Sequence, residues 1–430
     1  MTAASSSEHV ASWYAATANP TPERPALTGE VDCDVCVVGA GFTGMSAALH
    51  LAERGHSVAV LEAARVGYGA SGRNGGQIVN SYSRDLDVIE ARYGAETARA
   101  LGDMAFEGNR IIRERVERYA IDCDLRDGNL FAACNAKQLD GLRAHKALWE
   151  RYGYTELELL EGTAVKREVE SDRYSGALVD HGGGHLHPLN LVLGQAAALE
   201  SLGGRIYERS SVTGIDHGEP VVVRTPSGRI KAERVVMAGN AYLKGVLPEI
   251  EGRSMPCGTQ IIATEPLGEA RARALIPNGL AVEDCNYLLD YYRLTRDHRL
   301  LYGGGVNYGG DDPRDIESLI RPKMLETFPS LADVGVEYAW SGTFLMTLNR
   351  LPQFGVINGN VYYAQGYSGH GVTCTHLAGK LIAEVIEGRS ERFDAFAGLP
   401  HLPFPGGRLL RVPLSALGAW YYQARDRLGI

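Results

Sequence analysis

The chain of 430 residues exceeds one typical domain of roughly 150 residues and has room for two or three, each with its own core, which excludes peptide hormones, disulfide-stapled miniproteins and lone zinc fingers. Its 43 Lys and Arg against 52 Asp and Glu give a formal net charge of −9, and 45% hydrophobic with 22% charged residues is the balance of a folded globule. That acidic balance provides no bulk basic face for nucleic acid.

Glycine stands out at 52 residues, against about 7% of an average chain, and such an excess points to backbone that turns with positive φ or lies against a ligand. Residues 1–30, rich in Ala, Ser, Thr and Pro, read as a surface lead-in whose aromatic anchor is Trp13-Tyr14. They lack a basic stretch followed by an apolar one, and no later run approaches the roughly 18 apolar residues of a membrane span, so neither secretion nor membrane spanning is expected.

The fold begins near Val31. Val35-Cys-Val-Val38 is a short β-branched run suited to a buried parallel strand, and it breaks into Gly39-Ala-Gly-Phe-Thr-Gly44. A helix follows at once, with Met45, Ala48, Leu49 and Ala52 at helical spacing and Gly55 as its stop, and Ser57-Val-Ala-Val-Leu61 is the next strand, ending on Glu62. This is a complete βαβ unit. Residues 86–160 carry helical stretches, Glu107 to Tyr119 and Lys137 to Tyr152, read as a second, partly helical layer. Strand signals return at Gly204 to Val212, Val221 to Thr225 and Arg234 to Met237, then Ala263 to Tyr308 alternates β-rich runs with turns. Gly366-Tyr-Ser-Gly-His-Gly371 opens a helix over Val372 to Ile386. The Pro-rich tail ends in a helix near Leu414 to Leu428, whose Leu414, Leu417, Trp420, Tyr421 and Leu428 read as a stripe docked on the protein itself.

The glycine triplet has a specific physical use. Gly39 turns the strand tightly, Gly41 lets a pyrophosphate touch the backbone, and Gly44 lets helix and strand pack closely, with phosphate charge held at the helix N-terminus. Glu62 ends the second strand where its carboxylate can accept bonds from a ribose diol. The unit binds a dinucleotide, and it does not by itself separate NAD from FAD. Two further glycine clusters do: Gly67 to Gln77, too elaborate for a turn, and the distant Gly366 to Gly371. A cofactor longer than NAD uses such separated grips. The positive end of the helix after Gly371 suits the negative charge that a reduced isoalloxazine collects on its pyrimidine side.

Several other patterns fall away. Cys33-x-x-Cys36 leads into a buried strand and reads as packing rather than a redox dithiol. His181, His185 and His187 lack a carboxylate or thiolate partner at ligand spacing, so no metal is expected. Ser71 lacks the glycine two positions after it that a nucleophile elbow requires. Seven thinly spread cysteines are the opposite of a secreted disulfide framework and favour a reducing cytoplasm.

The run Asp34 to Leu49, with Leu61-Glu-Ala63, Gly69 to Gln77, Gly183-Gly-His-Leu-His-Pro188, Gly342 to Pro352 and Gly369-His-Gly371, resembles the FAD-dependent oxidoreductases of the D-amino-acid-oxidase-like superfamily. The likeness is greatest to the branch acting on γ-glutamylated amines. The resemblance covers nearly the whole chain and implies an α/β fold: a Rossmann-type FAD-binding domain interleaved with an α+β substrate domain carrying an antiparallel sheet. The division expected is 31–85, 170–245 and 335–390 for FAD, 86–169 and 246–334 for substrate, and 391–430 as a tail.

By that resemblance, Gly39, Gly41 and Gly44 with Phe42 and Thr43 face the pyrophosphate, and Glu62 with Ala63 faces the ribose. Ser71, Gly72, Arg73, Asn74, Gly75, Gly76 and Gln77 face the flavin, Val212 meets adenine through its backbone, and Gly239 joins the cofactor set. Gly369, His370, Gly371, Val372 and Thr373 approach the flavin pyrimidine. Neither Ala70 to Gln77 nor Trp340 to Pro352 offers the cysteine or histidine to which some relatives tether flavin, so the FAD is expected to be non-covalent. The reaction implied is oxidation of a C–N bond to an imine that water hydrolyses, with oxygen or another acceptor taking the electrons. Substrate-site candidates are His187, Tyr292, Arg293, Asn349 and Arg350, since a guanidinium can clasp a substrate carboxylate. A free secondary amine, or an N-methyl or D-amino acid, is the alternative substrate. An NAD(P)-linked dehydrogenase would be colourless, and a non-catalytic flavin module would be yellow yet unbleached by any amine.

Overall fold

The computed structural model describes residues 8–243, 245–310 and 312–428. Strand β1 (Gly29–Val38) is buried on both faces over its last four residues, as a central parallel strand must be. It ends because Gly39 turns with φ +104°, and helix α1 (Phe42–Ala52) starts directly after. Strand β2 (Val58–Leu61) then returns parallel to β1.

These elements are the centre of an eight-stranded sheet. Its main path runs Gln353–Ile357, Val361–Gln365, Gly228–Met237, β1, β2 and Arg205–Tyr207, all parallel neighbours except the first pair. The strand expected over Gly204 to Val212 stops at Tyr207. Arg209 takes φ +51°, and the N–H groups of Arg209 and Ser210 turn to the carbonyls of Ala64 and Glu62, so the ladder cannot continue and Val212 lies in a connection.

A second, nine-stranded sheet lies beside it, and its main path runs Val336–Thr347, Ser254–Thr264, Leu300–Tyr308, Tyr291–Leu294, Ala281–Asp284, Arg126–Ala133, Gly176–His185 and Gln77–Ile78. All its pairs are antiparallel except Ala281–Asp284 with Arg126–Ala133. Three segments assigned from sequence to the cofactor half therefore pair elsewhere: Gln77–Ile78, Gly176–His185 and Val336–Thr347 are strands of this second sheet. Strand patterns report that a segment pairs, not with what. Helices α2 (Glu107–Arg118) and α3 (Gly371–Ile386) pack with α1 in one continuous hydrophobic core, which also includes Ile261, Leu301 and Trp340 of the second sheet.

The tail helix α4 (Gly407–Leu428) corrects the docking expectation. Leu414, Leu417, Trp420 and Tyr421 are exposed, Trp420 at 70%, while Val412 and Phe404 make the inward contacts. The side chain of Leu428 lies outside the described residues. Among the described residues no helix is long and apolar enough to cross a membrane, and all seven cysteines are free. Burial pushes the Cys33 thiol up to about 11, which keeps it protonated and a poor nucleophile at neutral pH.

Candidate active site

One cavity of about 860 Å³ runs from the end of β1 to the second sheet. At its first end Gly39, Gly41, Phe42 and Thr43 line the wall, with Glu62, Ala63, Val212 and Gly239 around them. Gly44 does not line it; a Cβ there would come 1.9 Å from the Gly39 carbonyl oxygen, so this glycine serves the close packing of helix on turn. The first turn of α1 has no cap from its own N-cap residue, Gly41, and Ser71 Oγ accepts from the Phe42 N–H at 2.9 Å. Glu62 accepts from the N–H groups of Ala40 (2.8 Å) and Ala64 (2.9 Å). Burial pushes its carboxyl upward and those bonds oppose the shift.

The Gly67 to Gln77 loop crosses the middle. Ser71, Arg73, Asn74, Gly75 and Gln77 line the cavity, whereas Gly72 and Gly76 pack beneath the loop, where a Cβ would meet the carbonyls of Gly67 (2.3 Å) and Leu186 (2.1 Å). The loop is held shape-first: Asn74 accepts from Gly76 N–H and donates to Ala70 and Ser71, and Arg73 donates to the Tyr68 carbonyl and lies over the Tyr68 ring. Trp340 Nε1–H donates to the Arg73 carbonyl, and Gln77 donates to the Val282 carbonyl, which ties the loop to the second sheet.

Gly369, His370, Gly371 and Val372 line the far side, where α3 begins with no side chain capping its first turn. Thr373 is turned away and donates to the Val79 carbonyl at 2.7 Å; Thr375 lines the cavity instead. Burial lowers His370 to about 4, so its ring is neutral at ordinary pH.

Of the five substrate candidates, Arg350 alone reaches the cavity, donating to the Tyr287 hydroxyl at 3.2 Å. His187 caps the helix Pro188–Ser201 by accepting from Asn190 N–H, and packs between Trp13 and Tyr14. Arg293 spends its donors on the carbonyls of Gly75, Leu186 and Leu294 and on the Tyr14 hydroxyl. Asn349 donates to Pro400 and accepts from Leu351. Tyr292 points through the sheet to the opposite face, donating to Tyr174 and stacking on Tyr302, because neighbouring strand residues alternate sides. Its neighbour Tyr291 is the tyrosine in the cavity. Glu283, Tyr287 and Thr259 were also missed; the alternation along Glu283-Asp284 and Tyr291-Tyr292 carries the signal, but its phase depends on which face is covered.

Two helix N-termini, neither capped by its own N-cap residue, thus open on one elongated cavity, with a buried carboxylate acceptor at one end. That donor set fits a long cofactor with a pyrophosphate in its middle and an electron-accepting ring near α3.

Residues 34–385 match the family described as DAO, FAD dependent oxidoreductase. The chain belongs to that FAD-dependent oxidoreductase family. This flavoenzyme is 63% identical over 424 residues to the gamma-glutamylputrescine oxidoreductase of Escherichia coli strain K12, covering 98% of this chain and 100% of that one. It is 42% identical to the probable oxidoreductase OrdL of Haemophilus influenzae over 98% of each chain. Among solved structures, the oxidoreductase superposes on glycine oxidase from Geobacillus kaustophilus with TM-score 0.71 at 23% identity, covering 84% of this chain and 95% of that one. L-proline dehydrogenase from P. horikoshii gives TM-score 0.72 at 20% identity, over 85% and 96% of the two chains. These likenesses show the α/β fold with its two interleaved sheets, and the family is one of FAD enzymes.

Proposed function

We propose that the chain oxidises the amine-bearing carbon of a γ-glutamylated amine such as γ-glutamylputrescine to an imine that hydrolyses to an aldehyde. The observation that carries this reading is the 63% identity, end to end, with the E. coli oxidoreductase of that name. The cavity supports it: beyond the loop it continues to Arg350, Tyr287, Glu283 and Tyr291, offering a cation to the carboxylate of a long substrate and a carboxyl group to its amine.

Bound FAD supplies the two-electron acceptor for the C–H bond next to nitrogen. The chain's own residues do the rest. Gly39 and Gly41 with the α1 N-terminus hold the pyrophosphate, Glu62 the ribose, the Val212 segment the adenine, and Ser71 to Gln77 with the α3 N-terminus the flavin. Arg350 receives a substrate carboxylate as a charge-assisted pair, with Tyr287 fixing its guanidinium. The covering sheet excludes water from the reacting carbon. The FAD would be held non-covalently, since among the described residues no cysteine lines the cavity and its one histidine, His370, stands half-buried at the head of α3. Oxygen or another acceptor would take its electrons, and free cysteines throughout suit a cytoplasmic site of action.

An anaerobic titration of the purified protein with γ-glutamylputrescine tests the reading. Bleaching of the yellow flavin band is the expected result. A yellow protein that stays yellow removes this substrate, and a colourless protein that FAD cannot reconstitute removes the flavin assignment. Acid precipitation should leave the flavin in the supernatant; flavin retained in the pellet would show a covalent link.

A further inference from the structure

Two carboxylates line the cavity, and their surroundings differ. Both oxygens of Glu62 accept backbone N–H groups. Glu283 has no hydrogen bond or ion pair among the described residues, although the interior claims most of its surface. A half-buried acceptor with no protein partner is costly to keep in a cavity wall, and the usual reason for keeping one is a ligand that supplies the partner.

Its position suits that role. In Ala281–Asp284, Glu283 pairs across the ladder with Tyr291, whose ring packs against Gly75 so closely that a Cβ there would lie 2.7 Å from it. The preceding carbonyl, of Val282, receives Gln77 from the same loop. Glu283 therefore stands beside the junction of the cofactor-lining loop and the second sheet. The strand is anchored from behind: Asp284 points to the other face, pairs with Arg173 at 3.1 Å and accepts from the N–H groups of Asn286 and Asp290.

We propose that Glu283 receives the substrate's ammonium group and takes one proton from it, delivering the neutral amine that oxidation requires. The inference rests on the amine-oxidation reading above. In this step R–CH2–NH3⁺ and the Glu283 carboxylate become R–CH2–NH2 and the carboxylic acid. One N–H bond breaks, one O–H bond forms, the N–H electron pair stays on nitrogen, and nothing is oxidised. Burial first, and the neighbouring Asp284 second, push the Glu283 carboxyl up to about 8, near enough to working pH for it to ionise beside an arriving cation and to hold a proton once it has taken one. The groups around it are Asp284 on its own strand, Tyr291 and Tyr287 beyond, uncharged Phe131 on the parallel neighbour, and Arg350 on the cavity wall, held by Tyr287. An incoming ammonium is thus the cation that the carboxylate lacks.

The test uses the yellow holoenzyme and tert-butylammonium, whose nitrogen-bearing carbon has no hydrogen and cannot be oxidised. Binding is followed by perturbation of the visible flavin band and by calorimetry in the wild type, Glu283→Gln and Glu283→Asp, each checked for flavin content. The wild type should bind, Glu283→Gln should bind at least tenfold more weakly, and Glu283→Asp should stay within a few fold of wild type. Equal binding by wild type and Glu283→Gln, or no binding by the wild type, would overturn the proposal. The rate of anaerobic bleaching at neutral pH should also fall at least tenfold in Glu283→Gln. It should recover as pH approaches the amine's own value of about 10, because the substrate then arrives neutral. An unchanged rate and pH profile would equally overturn the proton role. If γ-glutamylputrescine leaves the wild type yellow, the substrate assignment fails, and the tert-butylammonium titration still decides Glu283.

Discussion

Gly44 and Tyr291 mark what is and is not readable one residue at a time. Gly44 has a steric necessity behind it, since a Cβ would press to 1.9 Å on the Gly39 carbonyl, and a glycine triplet after a strand announces that contact. Gly44→Ala should cost at least about 3 kcal/mol and lower the flavin-to-protein ratio, read by thermal melting and absorbance; a yellow variant melting like wild type would contradict it. Tyr291 and Tyr292 have the same side chain on the same strand, yet one enters the cavity and the other stacks on Tyr302. Composition cannot tell them apart, because the phase of a strand is set by what covers each face. Arg293 shows the complementary error. It looks like a carboxylate clamp, but the loop that its donors hold, at Gly75, is more than 200 residues earlier in the chain and invisible from its neighbourhood.

Among elements, α1 and the α2 helix were legible to within about three residues because their apolar spacing and stops are local. How they clasp was not. Glu53, just past α1, accepts from Tyr119 Oη at 2.6 Å and Arg118 at 3.2 Å at the end of α2. Burial alone would raise the Glu53 carboxyl, but hydrogen bonds from His50 and Tyr119 and the charge of Arg115 bring it down to about 2 from 4.5. A carboxyl depressed in the folded state stabilises fully above its unfolded value and loses that contribution as pH falls through the folded one. The clasp therefore weakens between about 4.5 and about 2, and Glu53→Gln should flatten that part of the stability profile in urea unfolding at stepped pH. An unaltered profile would show that Glu53 is not the group responsible. On α4, Trp420 is 70% exposed, so Trp420→Ser should shift stability by no more than about 0.5 kcal/mol. A larger loss would restore the docked stripe that the apolar spacing first suggested.

Across the whole molecule, the cavity draws on both sheets, so its ligand ties them together. Removing FAD should lower the melting temperature, and restoring it should raise stability by about 4 kcal/mol at a thousandfold excess over Kd, with a concentration-dependent midpoint. A melting point independent of added FAD would mean that the sheets hold without it. The division into halves shows why long range matters. Gly176–His185 and Val336–Thr347 are strands that the sequence reading did not name, and hydrogen-bonding to the second sheet is a choice of partner, which side-chain periodicity does not encode. What could be read without coordinates was the chemistry requiring contiguous residues: the strand–glycine–helix turn, the acidic end of β2, the glycine-dense loop, the uncapped start of α3, and the family likeness they compose. Backbone geometry and helix N-termini are local properties, and local sequence specifies them. At the far end of the cavity Arg350 could be named from its motif, but its companions belong to the tertiary structure. Glu283, Tyr287, Tyr291 and Arg350 meet there through strand phase and sheet order, quantities that exist only once distant segments have packed.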